Sequence, residues 1–535
     1  MRLLHLLPDG GIVPREFTGT DIPPYAILSH TWHVDNSQEV TLRDLEGGVA
    51  NTKLGHQKIE FCAKQALADG LEYCWVDTCC IDKTSSAELS EAINSMFRWY
   101  QQAAICYVYL LDLDRDAFEK DFSCLGACRW FSRGWCLQEL LAPKRLHCYS
   151  SDWSYIGSKS TLRDLICDIT KIDLDVLEDP SLLYTKPIAR RMSWAARRIT
   201  TRPEDMAYSL LGLFDVQMPM LYGEGSKAFV RLQEEIIKKS NDFSILAWRS
   251  TTPTPYWDMF AQSASCSQEC HTLCNNGPSG GTFSASAFSV TNRGLHIFSP
   301  DFRIRKDRED YPHGEYVLRL ACNLVVNGET SPQYVLLKKI GSGLFVRLPI
   351  SAKWLASSAG WFWPHSIEKD VFVVQHITPS LTRHIEMSHQ SCFDVRMAAS
   401  RSRPFPIQAL APRDAWDDPS SRFLTMGDAY FAGYLKFSAH MQSEKSPETF
   451  ILALCFENSG ERPPKPCVCL IQEGTWQCCD TQGRPLRVNV RSAINEQRSS
   501  APNYVNNRQS LTLESYMVEV TLETRISHRR TCAQN

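Results

Sequence analysis

Between residues 26 and 149, short apolar runs alternate with amphipathic helical patterns, and that alternation leaves the chain few architectures to adopt. "AILSH" (26–30) is apolar until its last two residues, as suits a strand buried on both faces. In "LGHQKIEFCAKQALADG" the residues Ile59, Cys62, Ala63, Ala66 and Leu67 recur at helical spacing, and Gly70 stops the pattern. "LEYCWVDTCCID" reads as a second buried strand with Asp77 and Asp82 near its carboxyl end. The next helix aligns Leu89, Ile93, Met96, Phe97 and Tyr100, and Ser85 with Glu88 has capping-box spacing. "AICYVYLLDL" and "RLHCYSS" supply further strands. Strands that alternate with helices need crossover connections, so the expected core is an α/β, doubly wound parallel sheet.

A chain of 535 residues exceeds one hydrophobic core. The expected division is an α/β core over 1–150, a helical annex over 151–249 and a β-rich C-terminal domain over 250–535. "RRMSWAARRI", "PEDMAYSLLGLF" and "SKAFVRLQEEIIKKS" carry the helical pattern of the annex. Past residue 250, Ser/Pro/Gly-rich loops separate runs such as "GEYVLRLACNLVV", "QYVLLKKI", "DVFVVQHI", "FILALCF" and "YMVEVTLETRI". Their alternation and β-branched content predict an antiparallel sandwich or barrel, and "SHRRTCAQN" reads as a frayed tail.

A net charge of −3 makes no electrostatic case for nucleic acid or an anionic membrane. No window reaches the ~18 consecutive apolar residues of a membrane span, and "MRLLHLLPDGG" lacks a full leader-type apolar region and cleavage site. The expected location is cytoplasmic or nuclear. The 21 cysteines are odd in number and several lie in apolar segments, which favours buried reduced thiols. Cys266, Cys270, His271 and Cys274 in "CSQECHTLC" have ligand-like spacing, but zinc knuckles space their pairs differently, so the favoured reading is a loop with incidental thiols. "LYGEGSK" lacks the spacing of a phosphate loop and reads as a turn before a helix.

Ser29 and His30 end the first strand. Adjacent side chains on a strand point to opposite faces, which argues against a nucleophile–base pair. Open α/β sheets bind ligands outside the carboxyl ends of their strands, where Ser29, His30, Asp77 and Asp82 are expected to gather. In "RGWCLQELLAP", Trp135 and Glu139 are one helical turn apart and share a face, offering a ring beside a carboxylate. The same Glu139 could instead pair at the surface with Arg133, Lys144 or Arg145, and spacing leaves both readings open.

"PPYAILSHTW", "YCWVDTCCIDKTSSAELSEAINSMFRWY", "RGWCLQELLAP" and "TTRPEDMAYSLLGLFDVQMPMLYGEGSKAFVRLQEEI" together resemble the fungal heterokaryon-incompatibility (HET) domain family over roughly the first 245 residues. That resemblance implies allorecognition, in which fusion of incompatible cells triggers cell death. HET domains are in turn similar to TIR domains, which implies a flavodoxin-like parallel sheet. "RGWCLQEL" resembles the TIR segment whose Glu cleaves NAD, so the resemblance implies Glu139 as catalytic residue with Trp135 as its neighbour in the pocket. Ser29, His30, Asp77 and Asp82, gathered on the same edge, are expected around a bound NAD. NAD enters as a substrate of a nicotinamide-releasing hydrolase, and no cofactor is implied. A lone carboxylate suits that chemistry, because the leaving group departs neutral while the ribose gains oxocarbenium character that an anion stabilises. The resemblance equally fits a non-enzymatic adaptor. Both roles imply self-association and a separate incompatibility partner or sensor protein. The segment between the first two strands is longer than in TIR domains, and residues 150–245 have no evident TIR counterpart.

Overall fold

A computed structural model describes residues 1–250 except 8, 9 and 20, and beyond them the segments 252–275, 287–299, 302–305, 315–341, 343–350, 369–390, 392–398, 407–413, 415–417, 422–424, 431–439, 448–457, 465–472, 508–513 and 516–521. The expected tail over 527–535 lies outside the described residues. The chain forms two compact units, one of Met1–Pro253, Phe260–Ser284 and Leu320–Gln333, the other of Thr254–Met259, Ala285–Arg319 and Tyr334–Asn535.

The first unit opens with β1 (Arg2–Leu6), β2 (Ile12–Glu16) and β3 (Ala26–His30), then α1 (Leu42–Glu46) and α2 (His56–Ala68). β4 (Tyr73–Trp75), α3 (Asp77–Cys80), α4 (Ser86–Gln102), β5 (Ile105–Tyr109), α5 (Arg115–Lys120), α6 (Arg129–Ser132), α7 (Cys136–Leu141), β6 (Leu146–Tyr149) and β7 (Tyr155–Ser158) follow. The sheet order is β2-β1-β4-β3-β5-β6-β7. Its centre is parallel, with Ala26 beside Cys74 and Ile105, and Cys106 beside Leu146. Every residue of β3 and β5 is buried, as the unbroken apolar runs predict.

The sheet is mixed rather than wholly parallel. The hairpin β1–β2 adds to β4 antiparallel, Leu4 opposite Cys74, and β7 returns antiparallel to β6. Leu3 and Leu4 are buried by this pairing, and their partner strand lies far along the chain, so no local pattern announces it. The second strand is also shorter than its apolar run. Pairing with β3 ends at Ile27 opposite Trp75, and the chain then turns into α3, where Cys80 N donates to Val76 O at 2.8 Å. Asp77 therefore opens a helical turn directly beyond a strand.

Both predicted crossover helices form. On α2, Ile59, Cys62, Ala63 and Ala66 are buried as their spacing requires, whereas Leu67 is 43% exposed. Only half of the capping box forms at α4. Ser85 Oγ accepts from Glu88 N at 3.3 Å, but the Glu88 carboxylate takes Asp82 N at 2.8 Å and the Arg2 guanidinium at 2.7 Å, tying β1 to the helix start.

Beyond β7 the first unit is mainly helical, with α8 (Arg163–Thr170), α9 (Leu174–Glu178), α10 (Ile188–Ser193), α11 (Asp205–Tyr208) and α12 (Lys227–Lys239). A 3₁₀ turn at Gly212–Phe214 packs on α4 so closely that a Cβ on Gly212 would sit 2.0 Å from Phe97 Cβ. "LYGEGSK" is a turn before α12, closed by the Glu204 carboxylate, which accepts from Gly223 N at 2.8 Å and Gly225 N at 3.0 Å.

In the β-rich region further on, one sheet orders Phe302–Arg305, Glu315–Val326, Glu329–Gly341, Leu344–Leu348, Lys369–Val373, Gly294–Ser299 and Ala287–Thr291. Its neighbours are antiparallel except the parallel Leu344–Leu348 and Lys369–Val373 pair. A five-stranded and a four-stranded sheet follow, the latter running Ile407–Ala411, Ala432–Ala439, Glu448–Glu457 and Lys465–Gln472.

Candidate active site at the carboxyl edge of the sheet

The chain runs from β3 outward to β4 on one side and returns to β5 on the other, so the strand order reverses between β3 and β5. Crevices at such reversals are where open α/β sheets bind ligands. Ser29 and His30 end β3 there, opposite Val108 and Tyr109.

The two residues enter separate networks, as alternation along a strand requires. Ser29, fully buried, donates Oγ–H to Glu139 Oε2 and receives Trp130 Nε1–H at 2.7 Å. His30 Nε2 lies 3.0 Å from Asp77 Oδ1, and Lys58 Nζ lies 3.2 Å from His30 Nδ1. An ammonium can only donate, so Nδ1 accepts and Nε2 carries the proton toward Asp77. Lys58 also donates to Thr31 O at 3.2 Å and Glu39 Oε1 at 2.5 Å. Trp32 Nε1 donates to Asp77 Oδ2 at 2.9 Å, with the Lys83 ammonium 3.7 Å above its ring.

Glu139 is 8% exposed, which settles the choice its spacing left open: it is an interior group, not a surface ion-pair partner. Burial pushes its pKa up to about 7, against the Ser29 hydrogen bond; the Asp77 charge raises it further, and Arg133 and Cys136 oppose. At Asp77 burial also acts upward, but the His30 hydrogen bond, the Lys83 charge and the Trp32 indole outweigh it and hold the carboxyl well below its usual range. Two carboxyls in one field thus have divergent titrations, the pattern that marks candidate acid–base sites.

The short α7 is placed from both ends. Gly134 N donates to Ile199 O at 2.9 Å, and a Cβ there would meet Thr200 Cγ2 at 2.5 Å, so a larger residue would have to push the Thr200 side chain aside. Past the helix end, buried Lys159 donates to Leu140 O at 3.1 Å and Pro143 O at 2.7 Å; burial lowers its pKa to about 8. Arg198 Nη1 donates to Arg133 O at 2.8 Å, and burial lowers its pKa to about 10 against the charges of Cys136 and Glu139.

Of the residues singled out by sequence, the structure brings Ser29 to Glu139 and His30 to Asp77. Trp135 is half-buried at the start of α7, where its indole acts on Asp205, lowering that carboxyl's pKa against the burial that raises it, while Trp130 supplies the ring N–H on Ser29. Asp82 shapes the turn into α4, where its Oδ1 accepts from Thr84 N at 2.9 Å and Thr84 Oγ1 at 2.6 Å. Sequence reasoning missed Trp130, Lys58 and Glu39. Lys58 carried a signal: it stands one turn before Cys62, inside the apolar stripe of α2.

The cysteine cluster does not converge. Cys270 Sγ is directed to Ala247 O and Cys274 Sγ to Asn323 O, and among the described residues no group of three or more His, Cys, Asp or Glu could hold a metal. Nor, among them, is any helix long and apolar enough to cross a membrane.

Residues 25–127 match the family described as heterokaryon incompatibility protein (HET), and residues 227–320 match a domain of unknown function, DUF8212. Over 260 residues, 47% of this chain, the sequence is 49% identical to the vegetative incompatibility protein HET-E-1 of Podospora anserina. The aligned region spans only 19% of that relative. No solved structure matches the chain. The α/β region that carries the Ser29 edge therefore contains a HET domain, and the chain is a homologue, over part of its length, of the fungal heterokaryon-incompatibility proteins.

Proposed function

We propose that this chain acts in heterokaryon incompatibility, triggering cell death through a nicotinamide-releasing hydrolase site centred on Glu139. The carrying observation is the buried Glu139 carboxyl, pushed up to about 7 and held by Ser29 at the reversal of the strand order. The order β4-β3-β5-β6 of the parallel strands matches a flavodoxin-like sheet and supports the TIR kinship. The name of the Podospora relative supports the biological role.

The chemistry needs an ionised Glu139. The nicotinamide ring of NAD is cationic, and a cation beside a buried carboxylate lowers its pKa, so substrate binding itself would drive the proton off. Ser29 Oγ–H, itself held by Trp130 Nε1–H, then orients the anion toward the ribose as oxocarbenium charge develops. The leaving nicotinamide is neutral and asks for no acid; water then adds to the ribose cation and gives its proton to the Glu139 carboxylate. His30 and Asp77 lie on the opposite side of β3 and serve as polar wall.

One observation favours a second reading. Glu139 is closed in by Ser29 and Trp130, so a substrate must displace packed side chains to reach it. A domain that signals by self-association alone would use Glu139 to hold α7 on β3. The full chain at high concentration, incubated with NAD, tests both. Nicotinamide release that Glu139→Ala abolishes supports the enzyme. No release from folded, self-associated protein supports the adaptor.

A further inference from the structure

The turn between β6 and β7 carries an aromatic side chain into a slot. Trp153 stacks on Tyr109 with ring centroids 3.6 Å apart and planes within 15°, and on Phe61 with centroids 4.0 Å apart and planes within 19°. Rings so close and so parallel overlap almost face to face, whereas aromatic side chains prefer offset or edge-on contacts such as the one Phe61 makes with Tyr149 at 68°. The backbone is unfavourable too, because Trp153 sits at φ 65°, a left-handed conformation that bulky side chains rarely adopt. The turn does not need the ring. Asp152 accepts from Ser150 Oγ and, at 3.1 Å, from Ser154 N, and Trp153 N donates to Ser150 O at 2.9 Å. Nor is the slot sealed: Trp153 is half-buried, and its indole N–H has no partner among the described residues yet is not one of their buried unpaired donors, so that edge of the ring meets water.

We propose that Phe61 and Tyr109 wall a binding slot for the planar heteroaromatic ring of a nucleotide, which Trp153 fills until the ligand displaces it. A heterocycle whose ring nitrogens withdraw electron density stacks on phenyl and phenol faces better than the electron-rich indole does, and a cationic ring better still. Adenine and nicotinamide share this chemistry. Tyr109 lies opposite His30 in the parallel pairing, which puts the slot on the His30 side of the sheet, across β3 from Ser29. It stands at the same carboxyl edge, where open α/β sheets bind nucleotides. Occupancy of the slot is read by binding alone, so it stands or falls independently of hydrolysis at Glu139.

The test is calorimetric titration of the full chain, as wild type and as Trp153→Gly, with AMP and with the N-methylnicotinamide cation. The glycine empties the slot and suits the positive φ. Ribose phosphate and tetramethylammonium, which carry charge of the same sign without an aromatic ring, are the controls. A Trp153 that fills the slot more than about nine-tenths of the time weakens wild-type binding at least about tenfold, so Trp153→Gly should bind one or both aromatic ligands at least about tenfold tighter. A gain for AMP alone marks a purine slot, and a gain for N-methylnicotinamide alone a pyridinium slot. Adding Phe61→Ala should remove the gain. No gain for either ring, an equal gain for a control, or a gain that survives Phe61→Ala would each overturn the proposal. Should a variant not fold, wild-type chain labelled with fluorotryptophan carries the test. The fluorine signal missing from Trp153→Phe should shift on titration with AMP or N-methylnicotinamide, and a signal that neither ligand moves overturns the proposal.

Discussion

Ser29 Oγ donates to the Glu139 carboxylate across 110 residues of sequence while accepting Trp130 Nε1–H at 2.7 Å. The bond fixes its own polarity. The indole can only donate, so the serine proton is free for the carboxylate, which is the arrangement an ionised Glu139 needs.

Glu139 should make stability fall with rising pH. Its folded pKa of about 7 lies above the ordinary carboxyl value of 4.5, so folding favours the protonated form. The contribution is fully present below the unfolded pKa and is lost as pH climbs through the folded one. The loss amounts to roughly 3 kcal/mol by pH 8. Glu139→Gln cannot ionise and should gain melting temperature relative to wild type between pH 5 and pH 8. A difference between the two proteins that does not vary with pH would contradict the assignment.

Ser29→Ala and Asp77→Asn should move that transition in opposite directions. Losing the Ser29 hydrogen bond removes an influence that lowers the Glu139 pKa, so the midpoint rises. Losing the Asp77 charge removes one that raises it, so the midpoint falls. Melting temperature followed against pH reads both. Ser29→Ala also strands the Trp130 N–H, at a cost of about 1–3 kcal/mol.

The Lys58–Glu39 pair is buried on both sides, at 2.5 Å. Lys58→Met should destabilise by about 3–5 kcal/mol, because Glu39 is left charged and unpaired. Adding Glu39→Gln should recover part of that loss. Urea denaturation of the single and double variants measures the coupling, and strictly additive losses would mean the two side chains do not act as a pair.

Gly212→Ala places a methyl group 2.0 Å from Phe97 Cβ and 2.3 Å from its Cγ. Neither α4 nor the 3₁₀ turn can yield without opening the core between them, so a loss of at least about 2 kcal/mol is expected. Phe97→Ala in the same chain removes the ring contacts but keeps the 2.0 Å contact with Cβ, so it should not restore stability, and it leaves a cavity as well. Thermal melting of the single and the double variant reports it: a Gly212→Ala protein as stable as wild type would show that the turn moves freely.

By itself the sequence determined whatever depends on near neighbours. Apolar runs with strand-like length became β3, β5 and β6, helical spacing became α2 and α4, and the period of two along β3 separated Ser29 from His30. Spacing also put Trp135 and Glu139 in one helix, yet it could not say which ring would serve the carboxylate's network. Helix rotation decided that: Trp135 turned to Asp205, and Trp130, from the preceding α6, reached Ser29. The β1–β2 hairpin was likewise invisible, because an edge strand exists only once β4 offers it a row of backbone groups. So was the interior position of Glu139. A charge in an apolar segment reads the same whether it faces water or a serine distant in sequence, and only the packing of α7 on β3 removed the water and raised its pKa.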